Sequence, residues 1–188
     1  MSWRNDDGLL VKFGVERAVV QNGGFISTSD GKLVWEFDVD LTNATTTDAQ
    51  VTATDNLFVP TGVHIEKIYV NIMELPTTAN ANLDLGLGYY LHAPAGTWTA
   101  KDYDGLLAVA DFGDFGVLGD IHEYVGGGTG SSATEVGALV GTTITTTTES
   151  GYPDHDRFYF NWSADTAVHL DGALKIRVVG HIPSGVGF

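Results

Sequence analysis

Cysteine is absent from the chain, which excludes disulfides, zinc–thiolate sites and thiol chemistry. Positive charge is scarce: nine Lys and Arg stand against 24 Asp and Glu, a net charge of −15. A surface of that sign repels phosphates and anionic headgroups, so neither nucleic acid nor a membrane is an expected partner. No apolar run approaches the ~20 residues of a membrane span. The opening MSWRNDDG lacks an apolar h-region, so no secretory signal is expected and the sequons at Asn43 and Asn161 carry little weight. Charged residues of both signs make up only 18% of the chain, low for a globular domain.

Thr and the 24 glycines stand where Lys and Glu would be. Thr fits a pleated surface and Gly supplies tight turns, which favours strands over helices. With 43% hydrophobic residues in 188, one domain with a sizeable core is expected, with or without an arm. The sparse basic residues are unevenly placed. Arg4, Lys12 and Arg17 lie early, Arg157, Lys175 and Arg177 late, and between Ile68 and Asp156 Lys101 faces twelve acids. If the ends meet in space, a mixed-charge pole opposes an acidic one; a solvated acidic surface is the plainer reading.

The stretch from Leu57 to Ala110 is the most informative. It contains LFVPTGVHIEKIYVNIMEL, ANLDLGLGYYL and DYDGLLAVA, a sheet-building pattern without a catalytic constellation. Lys32 to Asp40 alternates, with Leu33, Trp35, Phe37 and Val39 on one face. Strands are expected on both sides of the turn at Pro60, Thr61 and Gly62. In the second, the apolar phase passes from Val63 and Ile65 to Ile68, Val70 and Ile72. One extra residue near Glu66 and Lys67 repairs the register, which predicts a β-bulge.

Leu83, Leu85 and Leu87 alternate in the next strand, expected to pair with the one before it across PTTANAN. Asp104 to Ala110 is the best helical candidate: Asp104 would cap one or two turns carrying Leu106, Leu107 and Val109. GGGTGSSA reads as a loop and GTTITTTTES, from Gly141, as a Thr-rich strand or edge. Phe158 to Trp162, Ala167 to Leu170 and Ala173 to Val179 close the chain, the last two read as a hairpin through Asp171 and Gly172. About nine short strands between turn signals predict an all-β, antiparallel β-sandwich, jelly-roll-like, with a short helical turn near residues 104–110. An immunoglobulin-like sandwich is the alternative. The division expected is an N-terminal arm or peripheral strand pair over residues 1–24 and the sandwich over 25–188.

No G-x-S-x-G elbow occurs, and His122 with Glu123 lacks the second His of a zincin. Gly128, Gly130 and Ala133 match a loose dinucleotide fingerprint but have no helix to aim at a phosphate. Among 24 acids nothing marks a glycosidase pair. Asp102 and Asp104 form the candidate cation site, with Asp154 and Asp156 a second acidic cluster. Neither completes a calcium loop, and Asp104 reads equally as a cap. Trp98, Tyr103, Tyr89 and Tyr90 would stack a sugar or fill core. The six histidines are scattered and read as ordinary residues. No catalytic residue, cofactor or metal site is therefore expected.

The start DDGLLVKFGVERAVVQNGG has a DGL-x-V/I-x-F/Y-G pattern, a short strand and a Gly-Gly pair. It resembles the openings of small virion structural proteins of marine tailed bacteriophages. VPTGVHIEKIYVNI, ANLDLGLG, DYDGLLAVAD, GTTI and ALKIRVVGHI fit as well, so the resemblance covers nearly the whole chain. The insert from Phe112 to Thr148 and the tail IPSGVGF match least. The resemblance implies a jelly-roll capsid decoration, or cement, protein. Such a protein sits on the outside of an expanded head, often as a trimer, and braces neighbouring major capsid subunits. The implied partners are the major capsid protein and further copies of itself, and the implied location is the virion, after synthesis in the host cytoplasm. No active site carries over.

In that setting the N-terminal segment would reach a neighbouring subunit. Trp3, Leu9, Leu10, Val11 and Phe13 would anchor it, and Arg4, Lys12 and Arg17 would meet acidic capsid patches. Folding of the segment onto its own domain is the alternative. Two other virion roles stay open: a host-glycan-binding fibre or knob module using Trp98, Tyr103 or Tyr152, and a tail- or portal-associated structural protein.

Overall fold

The computed structural model describes residues 2–4, 10–12, 24–29, 32–43, 52–75, 82–92, 97–111, 118–126, 135–163 and 172–183. Eleven strands run through them: β1 (Ser2–Arg4), β2 (Leu10–Lys12), β3 (Gly24–Ser29), β4 (Lys32–Asp40), β5 (Thr52–Pro60), β6 (His64–Glu74), β7 (Asn82–Tyr90), β8 (Trp98–Asp111), β9 (Ile121–Val125), β10 (Arg157–Ser163) and β11 (Ala173–His181). A 3-10 turn at Leu41–Asn43 is the one helical element among the described residues.

All pairings are antiparallel. Four strands form one sheet in the order β5-β10-β7-β8 and five form a second in the order β3-β4-β11-β6-β9, while β1 and β2 pair with each other. The expected β-sandwich is thus observed. From β4 onward the pairing is nested: β4 with β11, β5 with β10, β6 with β9 and β7 with β8. The chain runs out as four strands that alternate between the sheets and returns alongside them in reverse order.

Alternation decides which face of each strand is buried. Trp35, Phe37 and Val39 of β4 are fully enclosed, as are Leu174, Ile176 and Val178 of β11 and Phe158, Phe160 and Trp162 of β10. The sheets meet through aromatic rings. Phe37 lies 4.8 Å from Phe160 and 6.0 Å from Trp162, and Trp35 meets Phe160 edge-on at 6.2 Å. The Trp35 Nε1–H would be costly to bury unpaired; it donates across the sandwich to the Phe58 carbonyl at 3.0 Å.

The bulge expected in β6 is present. Val179 pairs with Lys67 and Gly180 with Ile65, leaving Glu66 as the extra residue. Val63 and Ile65 before it, and Ile68, Val70 and Ile72 after it, all point into the core.

Several expectations are corrected. Residues 104–110 form no helical turn; they belong to the long strand β8. Leu106 and Leu107 are both buried because β8 bulges against β7. Leu85 pairs with Leu107 and Leu87 with Asp102, so extra residues are looped out of β8 between those pairs. A bulge turns successive side chains inward, which mimics a helical apolar pair. β7 does not pair with β6 but with β10 and β8 in the other sheet. Both edges of β11 are taken, by β4 and β6, from Ala173 onward; the hairpin partner expected at residues 167–170 lies outside the described residues. The Thr-rich segment is no strand; it makes isolated bridges from Thr143 to His64 and from Thr147 to His155.

Candidate functional site

Beyond the end of β7 three side chains meet. His92 follows β7, while Glu149 and His155 belong to the loop that precedes β10. The pairing of β7 with β10, Gly88 opposite Tyr159, brings the two segments to one end of the sandwich. The loop is closed on itself: Thr147 N–H donates to the His155 carbonyl at 3.2 Å and His155 N–H to the Thr147 carbonyl at 2.8 Å. Gly151 turns it at φ 85°, a left-handed conformation that suits glycine.

Lys101 of β8 holds the approach to this loop. Its ammonium donates to the Thr145 carbonyl at 2.8 Å and to Thr147 Oγ1 at 2.9 Å, and sits 4.5 Å over the Phe158 ring. Burial lowers its pKa.

One oxygen, Glu149 Oε2, accepts the His92 backbone N–H at 3.0 Å and lies 2.8 Å from His155 Nε2. The His92 N–H, with His155 assisting, holds the Glu149 carboxyl below the usual carboxylate range. The His92 ring is parallel to Tyr152 on one side, at 5.5 Å, and to His155 on another, at 4.6 Å. Tyr89 packs on His155 at 4.3 Å. One ligand-type atom from each of His92, Glu149 and His155 lies within 4.8 Å of the others. His155 is buried and His92 exposed. The cluster borders an open depression lined also by Tyr90, Asp154, Asp156 and Tyr159.

Asp102 and Asp104, the expected cation pair, sit in the bulge of β8. Burial, then the hydrogen-bonded Asp104 carboxyl, pushes Asp102 up to about 6. Two carboxyls sharing a proton supply too few oxygens for a calcium ion, which takes about 6–8. The sign of the pH effect follows from the raised value. Between the ordinary carboxylate pKa of about 4 and about 6, the folded chain keeps a proton that the unfolded chain has lost. This group therefore lowers stability as pH rises through that window. Asp102 is partly solvated, so the effect is screened. Asp102→Asn should raise Tm by roughly 2–4 °C at about pH 8 and leave it unchanged at about pH 4. An equal gain at both pH values in calorimetry would assign it to packing instead of charge.

The outer face of the five-stranded sheet gathers four of the nine basic residues, Lys32, Lys67, Lys175 and Arg177. Arg177 binds Glu36 Oε2 at 2.7 Å, Lys175 lies 3.6 Å from Asp38, Lys67 donates to Glu123 at 2.8 Å, and Lys32 lies 3.5 Å from Glu66. Glu123 and Tyr69 hold Lys67 more firmly charged than a free lysine. Of the late basic residues, Lys175 and Arg177 thus meet acids of β4 on a face of the sheet, whereas Arg157 lies over the Phe58 ring of β5. Beside this ladder, where residues 118–120 turn along Ile72, Met73, Leu118 and Ile121 are at least half exposed.

Of the arm residues, Trp3 and Arg4 lie in β1 and Leu10, Val11 and Lys12 in β2, with Trp3 opposite Val11. Leu9, Phe13 and Arg17 lie outside the described residues. Of the aromatic trio, Tyr152 stacks on His92, Trp98 meets Tyr90 at 5.2 Å, and Tyr103 is half-buried in the bulge. The sequence held no signal for the histidine cluster. Its residues belong to separate segments, and only the strand order brings them together.

The fold defines an all-antiparallel β-sandwich protein. No family model matches the chain, and no curated protein does. Among solved structures it is similar to a chain of the capsid of Ralstonia phage GP4, with 13% identity, 84% of this chain and 88% of that chain covered, and a TM-score of 0.49. Similarity at this level assigns no role to any residue here.

Proposed function

We propose that this chain is a non-enzymatic structural protein of a tailed-phage virion that decorates the capsid exterior and bridges major capsid subunits as a trimer. One observation carries the reading. Four of the segments that resemble small virion proteins coincide with the framework of the sandwich: VPTGVHIEKIYVNI spans the β5–β6 turn and β6, ANLDLGLG falls on β7, DYDGLLAVAD lies in β8 and ALKIRVVGHI contains β11. The nested strand pairing supports a jelly-roll reading, in which one long antiparallel ribbon is folded over into two sheets.

Surface features are in keeping with assembly. β9 is an edge strand, paired on one side with β6 among the described strands, and the exposed Met73, Leu118 and Ile121 lie near it. Unpaired edges and clustered apolar groups call for a covering partner, and symmetric closure provides one. The N-terminal segment is assigned the capsid contact, with Trp3, Leu9, Leu10, Val11 and Phe13 as anchors.

The test is co-sedimentation with emptied, expanded heads that lack this protein. The full chain should pellet with the heads. A chain lacking residues 1–14 should stay in the supernatant with its thermal unfolding unchanged. Binding by neither form would overturn the decoration role; undiminished binding by the truncated form would overturn the arm.

A further inference from the structure

We propose that His92, Glu149 and His155 form a binding site for a divalent transition-metal ion of the zinc type, which fastens the 147–155 loop to the end of β7. Two imidazoles and one carboxylate make a mixed nitrogen and oxygen set that suits zinc and its neighbours and discriminates against magnesium and calcium, which favour oxygen alone. Bonds of about 2.0–2.2 Å to a tetrahedral ion place its ligand atoms roughly 3.3 Å apart. Here the three donor atoms fall within 4.8 Å of one another, and Glu149 Oε2 and His155 Nε2 are already 2.8 Å apart. Closing the widest separation by about 1.5 Å, with rotation of the His92 ring so that both ring planes contain the ion, completes the geometry.

The ligands are held before any ion arrives. Glu149 and His155 belong to one loop closed by two backbone hydrogen bonds between Thr147 and His155. Glu149 is oriented by the His92 N–H, and the His92 ring is oriented by Tyr152 and His155. Support of this kind fixes ligand direction and raises metal affinity.

An ion pair between Glu149 and His155 would account for those two residues alone. The His92 ring, centred 4.6 Å from that of His155, lies outside that pair, and its ligand-type nitrogen falls within 4.8 Å of the other two donors. The open depression beside them leaves the fourth position for water or a partner's carboxylate, the pattern of three protein ligands plus an exchangeable one.

The experiment is calorimetric titration of the full chain, stripped with a chelator, with zinc chloride and, separately, with magnesium chloride. The wild type should take up one zinc per chain with micromolar or tighter affinity, and zinc should raise its Tm. His92→Ala removes an exposed ligand and keeps the backbone N–H that Glu149 accepts. It should weaken zinc binding roughly tenfold or more and abolish the Tm shift. His64→Ala, at a histidine whose ring lies 5.1 Å from that of His181, is the control and should leave both readouts at wild-type values. No stoichiometric zinc uptake by the wild type, unaltered affinity in His92→Ala, a loss confined to His64→Ala, or equal affinity for magnesium would each overturn the proposal.

Discussion

Phe37→Ala should lower the unfolding free energy by about 3–5 kcal/mol, the largest effect expected from a single truncation here. Phe37 is 1% exposed and is the β4 ring that touches both Phe160 and Trp162 of the opposite sheet. Its removal deletes apolar burial and leaves a cavity that strands held in two sheets cannot collapse to fill. Against a typical total of about 5–15 kcal/mol, that loss is between about a fifth and the whole of the stability. Urea unfolding would show a lower midpoint at an unchanged slope. A loss under about 1 kcal/mol would mean that the sheets are not packed together through this ring.

Gly86→Ala should cost about 3 kcal/mol, through the opposite physics of overpacking. A Cβ at Gly86 would stand 2.1 Å from the Asp102 carbonyl oxygen and 2.4 Å from the Tyr103 carbonyl. The neighbours are backbone, so no side chain can turn aside. They lie there because the bulge of β8 folds over β7, and across it the Tyr103 carbonyl accepts a hydrogen bond from Asn161 Nδ2 of β10 at 3.3 Å. One added methyl therefore lifts the bulge off two strands. Gly151→Ala is the contrast. Nothing lies within 4 Å of its Cβ position, and its positive φ alone should cost about 1 kcal/mol. Equal midpoints for the two variants in urea would sink the account of Gly86.

The two predictions mark where the sequence was readable and where it was not. The alternation of Trp35, Phe37 and Val39 announced a buried face, and the parity break after Ile65 announced the bulge at Glu66, because period and phase are local properties of a strand. Which strand sits beside which is not local. Leu83, Leu85 and Leu87 show the same pattern whether β7 pairs with β6, as expected, or with β10 and β8, as observed. The bulged stretch of β8 put Leu106 and Leu107 inward together and so resembled a helical turn. Nor does the alternation show what covers Gly86 and Gly88, which are buried under the Asp102 and Tyr103 backbone and the Trp98 ring. The histidine cluster was hidden for the same reason. His92 and Glu149 are 57 residues apart, and no spacing rule joins them.

The nested pairing has a consequence for the order in which the fold is made. β10 is the strand between β5 and β7, and β11 is the strand between β4 and β6. An interior strand of each sheet is thus one of the last two described strands in chain order. Glu36 and Arg177, partners across β4 and β11, stand 141 residues apart. Before β10 and β11 are made, β5 and β7 lack the strand that joins them, and so do β4 and β6. The β3–β4 and β7–β8 hairpins, whose strands follow one another in the chain, are local enough to form early. Neither sheet is complete until β10 and β11 are added, and open edges of that kind are prone to pairing with other chains.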